Sequence, residues 1–297
     1  MLKKIKLSDG VDQSRRGLSY FREYLKLFVR SQLNQKATQD WLDFWNSTDA
    51  FGAIATASPQ LIKKIYRPYL SRRFNCLQRC AMIQSHYQLV QQFGLLGMVT
   101  DALLEPLMLF TITGKSGASY QLQLVSTTVM EREGELVIQL VSNQQVIYSI
   151  AFSFIQENQR REIGVGCLQG GRAEDALEII RRTTRDMYGL RPKTLLINLV
   201  QQIGLQFQCQ QLLLVANHNR VVTQPLKKGK VLANYDETWL EHKASRMDSG
   251  DFCLPCRELT EPDYADISSH KRSEARKRYS LLSTASLAVR DCFHLKS

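Results

Sequence analysis

The middle of the chain constrains the fold most strongly, because five short runs rich in β-branched and aromatic residues follow one another there. The runs are LMLFTITG, SYQLQLVSTT, ELVIQLVSN, QQVIYSIAFSFI and EIGVGCLQ, within residues 107–169. Turn-favouring residues, such as the Gly-Lys-Ser-Gly of 114–117, separate them. Short runs of this kind are typical of strands that pair with their sequence neighbours. The pattern therefore predicts an antiparallel meander, with a tight hairpin at Ser142 and Asn143.

Helical patterns flank the meander on both sides. Apolar residues recur at helical spacing within residues 1–95, for example Leu18, Phe21, Leu25, Phe28 and Val29. After the meander, helices are predicted over 173–188 and from Pro192, and a buried strand, QLLLVAN, follows them. We expect an α+β protein in which helices cover a mixed, largely antiparallel sheet, and an N-acetyltransferase-like fold is one form of that layout. Its expected parts are a helical N-terminal region, 1–95, and an α+β core, 96–297, that ends in a basic helix.

Composition excludes several classes of protein. The chain has 297 residues, of which 44% are hydrophobic, so it can bury a sizeable core. It lacks a run of about 18 uncharged apolar residues, so no membrane span is expected. Seven cysteines, an odd number, argue against a disulfide framework and favour reduced thiols. These features predict a cytoplasmic location and leave the oligomeric state open.

The charge balance points to an anionic partner. The formal net charge is +11, which favours a lipid head group, RNA or an acidic protein. Basic residues are densest at the start of the C-terminal helix, HKRSEARKRYSLL, where Lys271, Arg272, Arg276 and Arg278 are the candidates for anion binding. The alternative is a solvated face of an amphipathic helix.

The segment IGVGCLQGG, residues 163–171, raises the question of a phosphate-binding loop. A dinucleotide fingerprint needs a third glycine where Gln169 stands. The acidic residue at the right distance, Asp186, is predicted to lie inside a helix, where it could not reach a ribose. A Walker loop is absent as well, because the Gly-Lys-Ser of 114–116 lacks the preceding glycine.

A second interpretation of the glycines is a coenzyme A loop. N-acetyltransferase-like folds hold the pyrophosphate on a loop of the type Arg/Gln-x-x-Gly-x-Gly/Ala at a helix start, and Arg161 to Gly166 match that string. The other placement is RPKTLL, just before the second helix, where Arg191 and Lys193 are candidates for holding carrier phosphates. There, however, Thr194 and Leu196 replace the glycines. The alternative to both is a strand whose small residues let a neighbour pack closely.

Two polar segments supply candidate catalytic groups. Asn-His-Asn-Arg, 217–220, follows the predicted buried strand, and His218 is a candidate general base. In NYDETW, Asp236 lies between Tyr235 and Trp239, which share a helix face and could stack a ligand. The alternatives are a loop held by its own caps and two aromatic residues packed in the core.

Cys253 and Cys256 have the spacing of a redox or metal motif. A structural zinc site needs four ligands, and only His242 and His270 lie near in sequence. No metal site is predicted, and whether this pair oxidises is left open.

Several linked motifs resemble the VirK/YbjX family of Gram-negative bacteria. In order along the chain they are VGCLQGG, GLRPKTLL, LLLVANHNRVV, NYDETW and SSHKRSEARKRYSLL, and the resemblance covers about residues 20 to 290. It implies a cytoplasmic bacterial protein that supports virulence, cell-envelope integrity and tolerance of cationic antimicrobial peptides.

The resemblance supplies neither a reaction nor catalytic residues, so the biochemical activity and any cofactor stay unknown at this point. Two alternatives follow from the residues. One is an acyltransferase-like enzyme that takes its acyl group from acyl-CoA or an acyl carrier. The other is a non-catalytic adaptor that binds an anionic partner through its basic surface.

Overall fold

A computed structural model describes residues 4–12, 14, 16–126, 129–222 and 234–295. The strands are β1 (Leu107–Thr113), β2 (Ser119–Ser126), β3 (Leu136–Ser142), β4 (Gln145–Glu157), β5 (Arg160–Gly170), β6 (Gln211–Leu214), β7 (Ser245–Arg246) and β8 (Phe252–Pro255). The helices are α1 (Gly17–Leu33), α2 (Gln35–Trp45), α3 (Asp49–Ala57), α4 (Cys76–Gln92), α5 (Leu96–Leu104), α6 (Ala176–Asp186), α7 (Pro192–Gln206), α8 (Tyr235–Glu241) and α9 (Ser269–Leu295).

The strands form one sheet in the order β1-β2-β3-β4-β5-β6-β8-β7. Strands β1 to β5 pair antiparallel, β5 pairs parallel with β6, and β6, β8 and β7 pair antiparallel. The predicted α+β class and the mixed, largely antiparallel sheet are confirmed. The end of the second predicted strand, residues 127 and 128, lies outside the described residues.

The hairpin between β3 and β4 turns one residue later than predicted. Its central residues are Asn143 and Gln144, which have φ of +49° and +61°, while Ser142 still pairs with Gln145. Positive φ at both central residues is the geometry of a type I′ turn, whose twist matches that of the flanking strands. Glutamine rarely adopts positive φ. For this reason the sequence pattern did not indicate Gln144 as a central residue, and the predicted turn was one residue too early.

Helices cover the sheet as expected. Helix α4 packs on β4, α7 lies across β4 and β5, and α9 packs against α7 and β1. A large apolar core joins these layers and includes Trp41, Trp45, Phe152, Phe154 and Leu199. Among the described helices, none combines the length and the apolar character needed to cross a bilayer.

The parallel pair β5–β6 is short and then opens. Its register runs over Ile163–Val165 and Leu212–Leu214, and the amide of Val215 still donates to the carbonyl of Val165 at 3.1 Å. Beyond this point the indole of Trp239 donates to the carbonyl of Val215 at 3.0 Å. Helix α8 therefore fills the space where the two strands separate.

Gly164 and Gly166 lie inside β5 and not in a loop. A Cβ at Gly164 would lie 2.6 Å from side-chain carbons of Leu70 and Ile155, and one at Gly166 would lie 2.1 Å from the carbonyl oxygen of Glu133. Gly166 is also the extra residue of a bulge, where Cys167 and Val165 face consecutive residues of β4. The absent side chains make room for protein neighbours, so the close-packing interpretation of these glycines is confirmed.

We expect Gly166→Ala to lower the free energy of unfolding by about 1–3 kcal/mol, because the new methyl group meets backbone that has no rotamer to change. Urea unfolding followed by circular dichroism measures the effect. Gly97→Ala is the matched control: Gly97 lies in α5 with open space around its Cβ position, so this change should stabilise the protein by about 0.5–1 kcal/mol. Equal effects of the two substitutions would contradict the close packing in β5.

A charged and polar cluster is enclosed in the core. Lys64 Nζ lies 2.5 Å from Glu135 Oε1, and both side chains are almost fully buried. The Tyr87 hydroxyl donates to Glu135 Oε2 at 2.9 Å. The Ser153 hydroxyl accepts the amide proton of Glu135 at 2.9 Å and lies 2.7 Å from the Tyr69 hydroxyl. This cluster ties the segment before α4 to β3 and β4.

His86 lies beside this cluster and is fully buried. Its Nδ1 accepts the amide proton of Phe154 at 3.1 Å, which places the ring proton on Nε2. Burial, opposed by Glu135 and reinforced by Lys64, lowers the pKa of His86 to about 4. The imidazole is therefore neutral in the folded protein at neutral pH.

Candidate functional site

A groove opens between α6, the start of α7 and strand β4. Its volume is about 480 Å³, within the range of about 300–1,000 Å³ typical of small-molecule sites. The lining residues are Tyr148, Leu177, Ile180, Arg181, Thr184, Arg185, Arg191, Pro192 and Lys193. We call this the α6–α7 groove. It lies where β5 ends, because Tyr148 pairs with Gly170, the last residue of that strand.

Local sequence explains the apolar floor. Helix α6 turns Ile179 and Thr183 into the protein, so Leu177 stays exposed and Ile180 is half-buried. The side chain of Ile180 rests over Gly170, where a Cβ would lie 2.9 Å from its Cδ1. Pro192 begins α7, where its fixed φ is compatible with the first turn and its missing N–H is not needed.

The rim of the groove is cationic. Arg191 and Lys193 approach the same carboxylate oxygen of Glu241, at 3.2 and 2.7 Å, while Arg181 and Arg185 approach Glu178, at 3.9 and 3.2 Å. Four cations thus share two carboxylates, which leaves an excess of positive charge. The hydrogen bond from Lys193 holds the pKa of Glu241 below its ordinary value. An incoming anion would compete with Glu241 for the same donors.

The residue that follows α8, His242, contacts the first turn of α7. His242 Nε2 lies 3.2 Å from the Thr194 hydroxyl, and His242 Nδ1 lies 2.8 Å from the carbonyl of Thr238. Burial lowers the pKa of His242. The neutral ring therefore links the two helices and adds no positive charge to the groove at neutral pH.

Tyr148 provides a protonated hydroxyl in the floor. Burial, together with Cys167 and Glu241 and against Arg191, raises the pKa of Tyr148 to about 12. The phenol thus stays protonated across the physiological range and is able to donate a hydrogen bond. The groove therefore combines apolar contact with one neutral donor and four cations.

The thiol of Cys167 is buried next to the groove floor. The Tyr235 hydroxyl donates to Cys167 Sγ at 3.2 Å and accepts the amide proton of Leu168 at 2.9 Å, and the guanidinium of Arg220 lies 4.0 Å from the centre of the Tyr235 ring. Burial raises the pKa of Cys167 well above its ordinary value. Because the thiolate and not the thiol is the nucleophile, this geometry does not activate Cys167.

The structure gives the other predicted residues different surroundings. Asp236 accepts the amide proton of Asn217 at 2.8 Å and pairs with Arg246 at 3.0 Å, so its carboxylate holds a loop. His218 is exposed, and its ring lies against Gly250. Neither Asp236 nor His218 lines the α6–α7 groove. Tyr235 and Trp239 are buried, in keeping with the core-packing alternative.

The basic residues of α9 point to different neighbours. Arg272 donates to the carbonyls of Ile267 and Ala265, and Arg276 lies 5.0 Å from the centre of the Tyr264 ring. Arg278 lies near Gly189, and Lys271 is exposed at the helix start. The structure therefore distributes these four candidates over several contacts and does not gather them around one cavity.

Cys253 and Cys256 are both free thiols. Cys253 belongs to β8, and Cys256 follows that strand with its sulfur close to Gly204, where a Cβ would lie 2.6 Å away. Burial raises the pKa of Cys256 to about 12, which makes it a poor nucleophile.

Of the predicted residues, the structure brings Arg191 and Lys193 together in the groove. Sequence reasoning missed Tyr148, Arg181 and Arg185. Arg181 and Arg185 are basic residues near the end of α6, a distribution that also suits the helix dipole, so their pattern alone does not distinguish a site. Tyr148 reaches the floor only through the pairing of β4 with β5.

Comparison with known proteins gives the family. A family model described as "Protein of unknown function (DUF535)" matches residues 16–291. The chain is 25% identical over 262 residues to the "Uncharacterized protein YbjX" of Escherichia coli (strain K12), covering 86% of this chain and 79% of that protein. It is 23% identical over 273 residues to an uncharacterized protein of Haemophilus influenzae, covering 92% and 91%. No solved structure matches. The chain belongs to the VirK/YbjX family of bacterial proteins, DUF535.

Proposed function

We propose that this protein binds an anionic amphiphile, a molecule with a phosphate group and an acyl chain, in the α6–α7 groove. The observation that carries the proposal is the placement of Arg181, Arg185, Arg191 and Lys193 around an apolar floor. Cations alone would suit a free phosphate, and an apolar floor alone would suit a neutral lipid. Their combination fits a ligand that carries both parts.

The chemistry of recognition follows from these residues. The phosphate would bind at the start of α7, where Arg191 offers a planar fork of donors and Lys193 a compact charge. The positive end of the α7 dipole adds to the attraction. The acyl chain would lie along Leu177, Ile180 and Pro192. Binding would require Glu241 to give up the hydrogen bond from Lys193.

Isothermal titration with octyl phosphate below its critical micelle concentration tests the proposal. We expect Arg191→Gln/Lys193→Gln to weaken binding about tenfold or more, because it removes two charge-assisted contacts. Glu241→Gln should strengthen binding about threefold to tenfold, since it frees both cations from their competing carboxylate. The opposite directions of these two changes distinguish a specific site from a loss of folding.

The matched control changes the same amount of charge elsewhere. Lys271→Gln/Arg276→Gln removes two positive charges from α9, both exposed and outside the groove. This variant should bind octyl phosphate like the wild type. If it loses as much affinity as the groove variant, binding follows overall charge, and the proposal fails.

An acyltransferase is the second candidate, and the sheet order favours it. The acetyltransferase expectation rests on the Arg-x-x-Gly-x-Gly string and on helices that cover a mixed sheet, and an antiparallel meander followed by one parallel pair is compatible with that layout. Two observations argue against an acyltransferase. The Tyr235 hydroxyl already accepts the amide proton of Leu168 where β5 leaves β6, and burial keeps the Cys167 thiol protonated. Acyl-CoA added to the same titration separates the candidates: an enzyme would bind it and release free coenzyme A in the presence of an acceptor, whereas a binding protein would return it unchanged.

A role in the cell envelope is proposed from the family resemblance and from the kind of ligand. A cytoplasmic protein that binds anionic amphiphiles would affect the supply or sorting of envelope lipids, and through them virulence and tolerance of cationic peptides. A deletion strain complemented with Arg191→Gln/Lys193→Gln tests this. If that variant fully restored peptide tolerance at wild-type protein levels, the α6–α7 groove would not be needed for the envelope role.

A further inference from the structure

Helix α1 exposes a broad apolar face. The residues of this face, with their exposed fractions, are Leu18 (88%), Phe21 (60%), Leu25 (47%), Phe28 (42%), Val29 (48%) and Leu33 (78%). The sequence predicted the helix correctly, but this apolar stripe does not face the core. Contiguous exposed apolar surface on a folded protein marks an interaction site more often than scattered single residues do. We call these six residues the α1 face.

The geometry of α1 explains why the face is outside. At about 100° per residue, the six apolar residues fall on one arc, and Leu27 and Ser31 fall on the far side, where both are buried. The Thr38 hydroxyl, which contacts the carbonyl of Ser31 at 3.3 Å, joins that buried side to α2. Helix α1 thus packs on the rest of the protein through the side that carries Leu27 and Ser31, and its wider apolar arc faces outward.

Basic residues border the α1 face. Arg22, Lys26 and Arg30 recur every four residues, and all three are exposed. At about 100° per residue, Arg22 falls beside Leu33 at the margin of the apolar arc, and Lys26 and Arg30 follow outside the arc on that same side. Lys26 pairs with Glu23 at 3.3 Å, a contact between partly exposed groups. An apolar arc with a cationic border is the pattern of helices that lie in the interface of an anionic bilayer.

We propose that α1 docks this protein on an anionic membrane surface, with the α1 face in the acyl boundary and Arg22, Lys26 and Arg30 at the lipid phosphates. Charge complementarity selects this partner, because a bilayer with acidic lipids supplies the apolar layer and the row of anions side by side. The net charge of +11 adds long-range attraction to the same surface. The inference is independent of the proposed ligand, since no residue of the α1 face lines the α6–α7 groove.

Flotation of the full chain with vesicles tests the docking. Vesicles of phosphatidylcholine and phosphatidylglycerol in equal amounts should bind the wild type, and added salt should weaken the binding. Arg22→Gln/Arg30→Gln should lower the partition coefficient roughly 30-fold, since each basic residue near an anionic surface contributes about a fivefold gain. Leu18→Gln/Phe21→Gln should lower it at least as much.

Controls keep the test decisive. Leu104→Gln/Leu287→Gln removes two exposed leucines from other helices, 75% and 60% exposed, and should float like the wild type. Both α1 variants should retain octyl phosphate binding, so failure of docking and failure of the groove are distinguishable. Equal flotation of the wild type and Leu18→Gln/Phe21→Gln overturns the proposal. So does a wild-type dimer in light scattering that Leu18→Gln/Phe21→Gln dissociates, because a second copy of the chain would then cover the face.

Discussion

Replacing Lys64 by methionine is expected to lower the free energy of unfolding by about 3–5 kcal/mol at neutral pH, because the change leaves Glu135 as an uncompensated buried charge. Burial by itself would raise the pKa of Glu135, but the charge of Lys64 and the hydrogen bonds from Lys64 and Tyr87 hold the pKa below its ordinary value. Urea unfolding of the variant and the wild type measures the loss. The methionine preserves most of the side-chain volume, so the effect is electrostatic.

Two further variants isolate the ion pair. Lys64→Met/Glu135→Gln should regain most of the lost stability, because the neutral amide can still accept the hydrogen bond from Tyr87. Lys26→Met removes the lysine of the partly exposed pair with Glu23 and should change stability by less than about 1 kcal/mol. If Lys64→Met and Lys26→Met had equal effects, Lys64 would not be compensating a buried carboxylate.

The pH dependence of Lys64→Met supplies an independent check. Without Lys64, burial should raise the folded-state pKa of Glu135 above its unfolded value. The folded variant would then bind the proton more tightly than the unfolded chain, so its deficit relative to the wild type should shrink as the pH falls through that raised pKa. A deficit that stays constant between neutral and mildly acidic pH would argue for a packing defect.

The second large effect is a loss of stability in mild acid through His86. Its folded-state pKa of about 4 lies below the unfolded value of 6.5, so the folded protein favours the neutral ring. The resulting stability is fully present above pH 6.5 and is lost as the pH falls from there toward 4. Between pH 7.5 and 4.5 this group alone should lower the free energy of unfolding by about 2.5 kcal/mol.

His86→Asn tests this contribution, because the amide oxygen can replace Nδ1 as the acceptor for Phe154 and does not titrate. Its free energy of unfolding, measured in urea at a series of pH values, should fall less steeply than that of the wild type over the same interval. His218→Asn, which changes an exposed histidine, should follow the wild-type curve. Parallel curves for His86→Asn and the wild type would show that His86 is not held neutral.

Local patterns sufficed for the five-strand meander and for the helices on either side of it, since strand pairing in a meander follows sequence order. They did not predict β7 and β8, which join the sheet through the pairing of β8 with β6. Long-range packing decided what those patterns left open. The spacing of Phe21 and Leu25 predicts a helix but does not say whether another element covers that face. The alternation around Gly164 and Gly166 indicates a strand, yet the room they provide depends on Glu133 and Leu70, which come from distant segments.

The candidate site was predictable in part for the same reason. Arg191 and Lys193 lie next to a helix start that the sequence marks with Pro192. Arg185 and Tyr148 join them only because α6 folds over the end of β5 and β4 pairs with that strand. Asp236 and His218 stood out by residue type, but Asp236 holds a loop, and type alone does not reveal partners.

Amide chemical shifts of the isotopically labelled protein, followed while octyl phosphate, inorganic phosphate and octyl maltoside are added separately, would locate the ligand directly. If the α6–α7 groove binds anionic amphiphiles, octyl phosphate should cause saturable shifts in α6, at the start of α7 and around Tyr148. Phosphate should shift the same amides only weakly, and octyl maltoside should not shift them. Shifts concentrated between Lys271 and Arg278, or equal responses to octyl phosphate and octyl maltoside, would contradict the assignment.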